Sequence, residues 1–149
     1  MVYKVLDVAR YIIEYCIGLG KPISNLKLQK MLYFLWIDYY KMNGEPLFAE
    51  EICAWQLGPV VPEVYYEYCA YGGMPIYRIE DKECSIQECD KSILENSIEN
   101  YMCKSARELV NLTHAQGKPW EKVYNNGKGL RSIIPFKLIQ ELECEDAVR

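Results

Sequence analysis

Histidine is almost absent from this sequence: His114 stands alone among 149 residues. General acid–base and nucleophilic catalysis need partnered groups. No cysteine here stands in a glycine-rich turn or at a helix start that would activate it beside that imidazole. The acidic residues are scattered, with no pair singled out by spacing, so the sequence offers no positive case for an enzyme. His114 falls at the end of an expected helix, where it would meet the last carbonyls as a cap. Zinc is excluded on related grounds. The 7 cysteines are an odd number, contain no Cys-x-x-Cys, and come closest at Cys84 and Cys89. A structural zinc site takes about four ligands at recognisable spacing. Free thiols in a reducing cytoplasm are expected, with no metal and no cofactor.

Long apolar runs are missing too. Lys4, Asp7, Arg10 and Glu14 interrupt the N-terminal segment, so neither a signal peptide nor a membrane span is expected. An excess of positive charge is lacking: the net charge is −4, against the phosphate-neutralising surface of a dedicated nucleic-acid binder. One stretch runs the other way, with Lys118, Lys122, Lys128, Arg131 and Lys137 set against Glu121 alone, followed by the acidic Glu141, Glu143, Glu145 and Asp146. Two solvated faces of opposite sign account for this pattern, and a nucleic-acid-linked regulator using the Lys118–Lys137 stretch is the lesser alternative. The string Gly18-Leu19-Gly20-Lys21 is no phosphate loop, because its glycines are too close and no Ser or Thr follows the lysine.

What remains is an ordinary globular balance, 50% hydrophobic and 26% charged, enriched in tyrosine with 13 Tyr and 3 Trp. A chain of this size buries about 70% of the surface it would expose unfolded, enough to fold as one domain over 1–149 without staples. Tyrosine is amphipathic and serves both core and contact surface.

Helical periodicity dominates. From about Tyr3 to Ile17, Val5, Ala9, Ile12, Ile13 and Cys16 recur on one face. Ser24 caps a second helix reaching about Met42 and ending at Asn43-Gly44, with Met31 to Ile37 apolar throughout its middle. Ile52–Leu57 reads as a short strand ending in a stiff loop, Gly58-Pro59-Val60-Val61-Pro62, and Pro62 opens a helix that continues to Tyr71 before Gly72-Gly73. Pro75–Ile79 alternates as a second strand. Ser85–Glu88 and Ser105–Glu108 have capping-box spacing. Leu94, Ile98 and Tyr101 form one helical stripe; Ala106, Leu109, Val110 and Thr113 form the next, which Gly117 ends. Pro119-Trp120 opens a short helix that stops at Asn125-Asn126-Gly127. Ile133-Ile134 adds a third candidate strand, and Pro135 starts a last helix carrying Phe136, Ile139 and Leu142. The predicted fold is mainly α (α+β): a compact helical domain with a small edge sheet of two or three short strands.

Three segments carry a resemblance. The first is Leu28-Gln29-Lys30-Met31-Leu32-Tyr33-Phe34, continuing through Trp36 and Tyr39. The second is Ala54-Trp55-Gln56-Leu57-Gly58-Pro59-Val60-Val61-Pro62-Glu63-Val64-Tyr65. The third is Leu112-Thr113-His114, followed by Pro119-Trp120. In this order and spacing the chain resembles, from about Met1 to Leu142, the Panacea domain of SocA-like antitoxins and phage-associated GepA-like proteins. The resemblance implies an α-rich domain that neutralises a toxin, expected from the adjacent gene, by direct protein contact. An ATP-dependent protease served by the chain as adaptor is the alternative partner. Nucleic acid is not expected, because the chain has no room for the helix-turn-helix that some members add.

Within the resemblance, Gly58 and Pro59 fix a tight turn, and Tyr65, Thr113, His114, Pro119 and Trp120 are taken as structural members. Partner contact is assigned to Gln29, Lys30 and Trp55, although aromatics of this size fill cores more often than interfaces. On a helical wheel at about 100° per residue, Leu28, Leu32, Leu35, Trp36 and Tyr39 form the core face. Lys27, Lys30, Asp38 and Lys41 lie opposite, with Phe34 among them and Tyr33, Ile37 and Tyr40 beside it. Either flanking helices wrap this second face, or Lys30, Tyr33, Phe34 and Ile37 border an exposed groove for the toxin.

Overall fold

A computed structural model describes residues 2–145 of the chain. Its axis is α2 (Asn25–Asn43). Ser24 Oγ accepts the Lys27 N–H at 3.3 Å, and Gly44, in the left-handed region at φ 70°, closes the helix by donating to Tyr40 O. Every residue from Leu28 to Ile37 is buried. A helix apolar nearly all round must be covered on all sides. Here α1 (Val5–Gly18), α4 (Glu88–Met102), α5 (Ala106–Thr113) and the C-terminal turn surround it. α1 offers the amphipathic face expected of it, burying Val5, Val8, Ala9, Ile12, Ile13 and Cys16.

The sheet is small, as expected for a mainly α chain, but differs in detail. β1 (Cys53–Trp55) pairs antiparallel with β2 (Gly58–Val60) in the register Cys53↔Val60, Ala54↔Pro59, Trp55↔Gly58. The stretch read as a stiff loop after Leu57 is therefore mostly a strand. The tightest hairpins place positive φ at their central residues; neither Gln56 nor Leu57 does so, and the turn is absorbed at Gly58, φ 114°. The other edge of β1 takes Ile133 as an isolated bridge, with Ala54 N donating to Ser132 O and Ile134 N to Ile52 O.

Pro75–Ile79 is not a strand. Its burial alternates, Ile76 inside and Tyr77 and Ile79 outside, but its one backbone tie to the body is Ile76 N to Ile23 O, among the described residues. The helix begun by Pro62 is α3 (Pro62–Glu67), which tightens into a 3-10 turn at Cys69–Tyr71 instead of running on as α-helix. α6 (Pro119–Tyr124) stops where the asparagines take positive φ. α7 (Phe136–Ile139) follows Pro135 as cap and passes into a π turn, Gln140–Cys144, that contains Leu142.

Of the two capping boxes, Ser105 caps α5 by accepting the Glu108 N–H at 3.1 Å. Ser85 does not cap α4: its N-cap is Gln87, whose N–H reaches the Tyr3 hydroxyl at 3.1 Å. A tertiary donor–acceptor pair has replaced the local one. Tyr3 in turn donates to Asp90, as does Tyr39 at 3.1 Å, so one buried carboxylate ties the N-terminus, α2 and α4 together. Among the described residues no helix is long and apolar enough to cross a membrane.

Removing a shared buried acceptor leaves both hydroxyls unsatisfied, at about 1–3 kcal/mol each. Asp90→Ala is therefore expected to lower unfolding free energy in urea by about 2–4 kcal/mol, and Asp90→Asn, which retains an acceptor oxygen, by clearly less. Equal losses in the two variants would contradict this account of the junction.

Candidate functional site

The three motif segments meet at one place, where α2 braces the open edge of the hairpin. Pro59 has no N–H to offer, and its carbonyl accepts the Lys30 ammonium at 2.7 Å. Two residues on, the Val61 N–H donates to Gln29 Oε1 at 2.9 Å. Gln29 Nε2 donates to Asn25 Oδ1 at 3.0 Å, and Asn25 Nδ2 to Tyr65 O at 3.1 Å, carrying the brace into α3. Two adjacent α2 side chains thus do for β2 what a third strand would do, satisfying backbone groups that burial would otherwise penalise.

Gly58 makes this approach possible. A Cβ at that position would lie 2.7 Å from Thr113 Oγ1 and 2.8 Å from Lys30 Cε. Thr113 sits there because its hydroxyl turns back to donate to Val110 O at 2.7 Å, closing α5. Beyond it the His114 ring stacks on Trp120 at 3.8 Å, almost coplanar, and Trp120 stacks on Tyr124 at 4.5 Å. Pro119 starts α6 so that Trp120 Nε1 donates to Trp55 O at 2.8 Å. His114 does occupy the C-cap position of α5, but the ring stack, not a carbonyl bond, anchors its side chain.

Lys30 has 0% exposure. Burial pushes its amine down to about 7 from the ordinary lysine value. His114 is lowered by burial and then by the Lys30 charge. Its Nε2 is buried without a hydrogen-bond partner among the described residues. Among those residues no group of three or more His, Cys, Asp or Glu is placed to hold a metal ion.

This geometry corrects the expected contact surface. Lys30, Tyr33, Phe34 and Ile37 are all buried, so they border no exposed groove, and Gln29 is buried as well. The wheel shows that the second face of α2 is charged, but not where the charges go. Lys27 donates to Met102 O, and Lys30 to Pro59 O. Asp38 accepts from Ser97 at 2.8 Å and from Tyr101 at 3.4 Å. Phe34 stacks on Tyr101 of α4 at 4.8 Å, and Tyr33 donates to Glu143 at 3.1 Å. The flanking elements wrap both faces.

Of the residues assigned to contact, Trp55 alone reaches the surface, half-buried at the hairpin turn. Tyr65 meets it edge-on at 4.9 Å, Tyr66 at 6.1 Å, and the Arg131 guanidinium lies over its ring at 4.6 Å. Leu57 and Tyr66 are 53% and 56% exposed. A cleft of about 310 Å³ opens beside Trp55, lined by Leu26, Leu57, Val60 and Tyr65 together with the amides of Gln29 and Gln56, while Arg131 and Tyr66 lie outside its lining. Leu57, Tyr66 and Arg131 were not legible as site residues: two are single apolar residues in a turn and a helix, and the third arrives from a loop far along the chain.

The family described as antitoxin SocA-like, Panacea domain, matches residues 28–121. The chain is 34% identical over 141 residues to antitoxin SocA of Caulobacter vibrioides (strain NA1000 / CB15N), covering 83% of this chain and 74% of that relative. No solved structure matches the chain.

Two substitutions probe the brace. Gly58→Ala forces a side chain into a filled space at a φ that alanine resists, and is expected to cost about 1–3 kcal/mol. Gln56→Ala, at an exposed position two residues earlier, should stay within about 0.5 kcal/mol of the parent. A neutral Gly58→Ala would refute the close approach. Lys30 sets a pH dependence. Its native value of about 7 lies below the unfolded value of about 10.4, so between the two the unfolded chain holds the extra proton. The cost of the buried charge is then full below pH 7 and is relieved as pH rises toward 10. Melting Lys30→Met beside the parent should give a stability difference, variant minus parent, that is largest at pH 6 and shrinks by pH 10. A pH-independent difference would show that Lys30 titrates normally.

Proposed function

We infer the role of this chain from the family to which it belongs, the antitoxin SocA-like Panacea domain proteins: it is the antitoxin of a toxin–antitoxin pair, working in the cytoplasm and neutralising its toxin by direct contact rather than by catalysis. The observation that supports this reading is how the motif residues divide. Gln29, Lys30, Gly58, Pro59, Thr113 and Trp120 lie in the interior as a scaffold. What the scaffold holds at the surface is a cluster of Trp, Tyr and Arg, the residue types that dominate binding energy at protein interfaces. Lys30 and His114, the groups best suited by type to acid–base work, are turned to bracing and ring stacking.

The toxin is expected from the gene beside this one. Co-expression with that gene's product should rescue growth where the product alone arrests it, and the two proteins should co-purify. Leu57→Asp and Tyr66→Asp, both at exposed positions, should abolish rescue while leaving the melting temperature within a few degrees of the parent. Rescue without a stable complex would favour the protease-adaptor alternative, and no rescue at all would remove the antitoxin reading.

A further inference from the structure

We propose that Arg131 and the cleft beside Trp55 form a two-part anchor for a protein segment that presents a carboxylate next to a bulky apolar side chain. The proposal rests on the antitoxin reading only for the identity of the protein that carries the segment.

The first observation is a strained backbone. Arg131 has φ 68°, and the other non-glycine residues with positive φ among those described are Asn125 and Asn126. Asparagine tolerates the left-handed region, whereas a long side chain enters it only when its surroundings compel it. Here Arg131 N donates to Ala54 O at 2.6 Å, Ser132 N to Gly129 O at 2.9 Å, and Ala54 N to Ser132 O at 2.8 Å, clamping the residue between the loop and β1. Glycine would satisfy the same backbone without strain. An arginine held in this conformation points to a role for its side chain.

The second observation is where that side chain goes. The guanidinium carbon lies 4.6 Å from the centre of the Trp55 ring, a cation–π contact. Among the described residues its N–H groups meet no acceptor, and their forked geometry suits a carboxylate. Arg78 shows the alternative on this same protein, holding Glu67 at 2.6 Å and Glu80 at 2.7 Å. Arg131 has no carboxylate within 4 Å among the described residues, and neither has Lys128, three residues earlier in the same loop. The local field therefore favours an acidic partner.

The third observation is the cleft. Its volume of about 310 Å³ lies at the lower end of the range for small-molecule sites, roughly 300–1,000 Å³, and suits one bulky side chain better than a cofactor. Gln29 is already engaged with Val61 N and Asn25, and Leu26, Trp55, Leu57, Val60 and Tyr65 make most of the lining apolar. An apolar side chain is therefore the occupant that fits. A nucleic-acid base is the poorer fit, because Arg131 already covers one face of Trp55 while Tyr65 and Tyr66 pack around the ring.

The test uses the full chain and two small probes, N-acetylphenylalanine and N-acetylphenylalaninamide, which differ only in the carboxylate. Amide and indole NMR signals of Trp55, Leu57 and Arg131 should shift with both, and the acid should bind roughly tenfold tighter, the step that about 1.4 kcal/mol represents. That preference should disappear in Arg131→Gln and in Arg131→Gly, while Arg131→Gly melts no lower than the parent because its backbone strain is relieved. Equal binding of acid and amide, shifts confined to another surface, or displacement of the probes by a short single-stranded oligonucleotide would overturn the proposal. So would an Arg131→Gly variant that melts several degrees lower yet keeps the acid preference, for that marks a structural arginine. Failure of the neighbouring gene's product to bind counts against the antitoxin reading alone, since the probes need no toxin.

Discussion

The hydrogen bond from Lys30 to the Pro59 carbonyl is the contact on which the rest of this molecule's surface depends. A buried amine without a carboxylate is costly, so every element around it is arranged to meet the demand. Pro59 supplies a carbonyl on a strand edge where proline leaves no N–H to satisfy. Gly58 has no side chain to obstruct the approach, and Thr113 packs against it from the end of α5. Lys30 donates to the Pro59 carbonyl at 2.7 Å, so the length of its side chain helps to set the position of β2 along α2. Gln29 repeats the device at Val61.

From there the dependence runs outward. With β2 held against α2, β1 is held through the hairpin register, and Trp55 stands at its end with its carbonyl presented to Trp120. Trp120 locks the stack of His114 and Tyr124, and the loop after α6 returns through Arg131 to the far edge of β1. The aromatic surface is thus a product of the interior and not a separate patch added to it. Trp55 and Tyr65 are fixed in place before any partner arrives, which spares an interface the ordering cost that flexible side chains would impose.

Legibility in the sequence followed the range of the interactions. The start and end of α2 were readable because Ser24 and Gly44 act on their own helix, and Ser105 acts the same way on α5. Ser85 has the same local signature as Ser105, yet the N-cap of α4 is Gln87, whose amide donates to Tyr3, more than eighty residues away. β2 was read as a loop because Gly58-Pro59 looks like a break. The group that turns it into a strand edge, Lys30, lies 29 residues upstream. Pro75–Ile79 shows the converse: its alternation is present in the burial, but Arg78 ties it to Glu67 and no strand pairs with it among the described residues. The assignment of Lys30, Tyr33, Phe34 and Ile37 to an open groove failed for a related reason. A wheel records polarity around one helix, whereas the groups that absorb that polarity lie on other elements: Met102, Ser97 and Tyr101 on α4 and Pro59 on β2.

The same reasoning separates two kinds of motif residue that look alike in a sequence. Trp55 and Trp120 are both large aromatics, and both lie in the segments that carry the family resemblance. Trp120 buries its ring between two others and sends its one N–H inward. Trp55 contributes only its backbone carbonyl to that bond and leaves its indole at the surface beneath a cation. The distinction lies in which part of each residue the interior uses. Where the backbone alone is bound, the side chain is free to face a partner; where the side chain is bound, the residue is scaffold. By that criterion Lys30 and Gln29 are scaffold in spite of their polarity, and Arg131 belongs with Trp55: β1 holds its backbone, and its guanidinium faces outward.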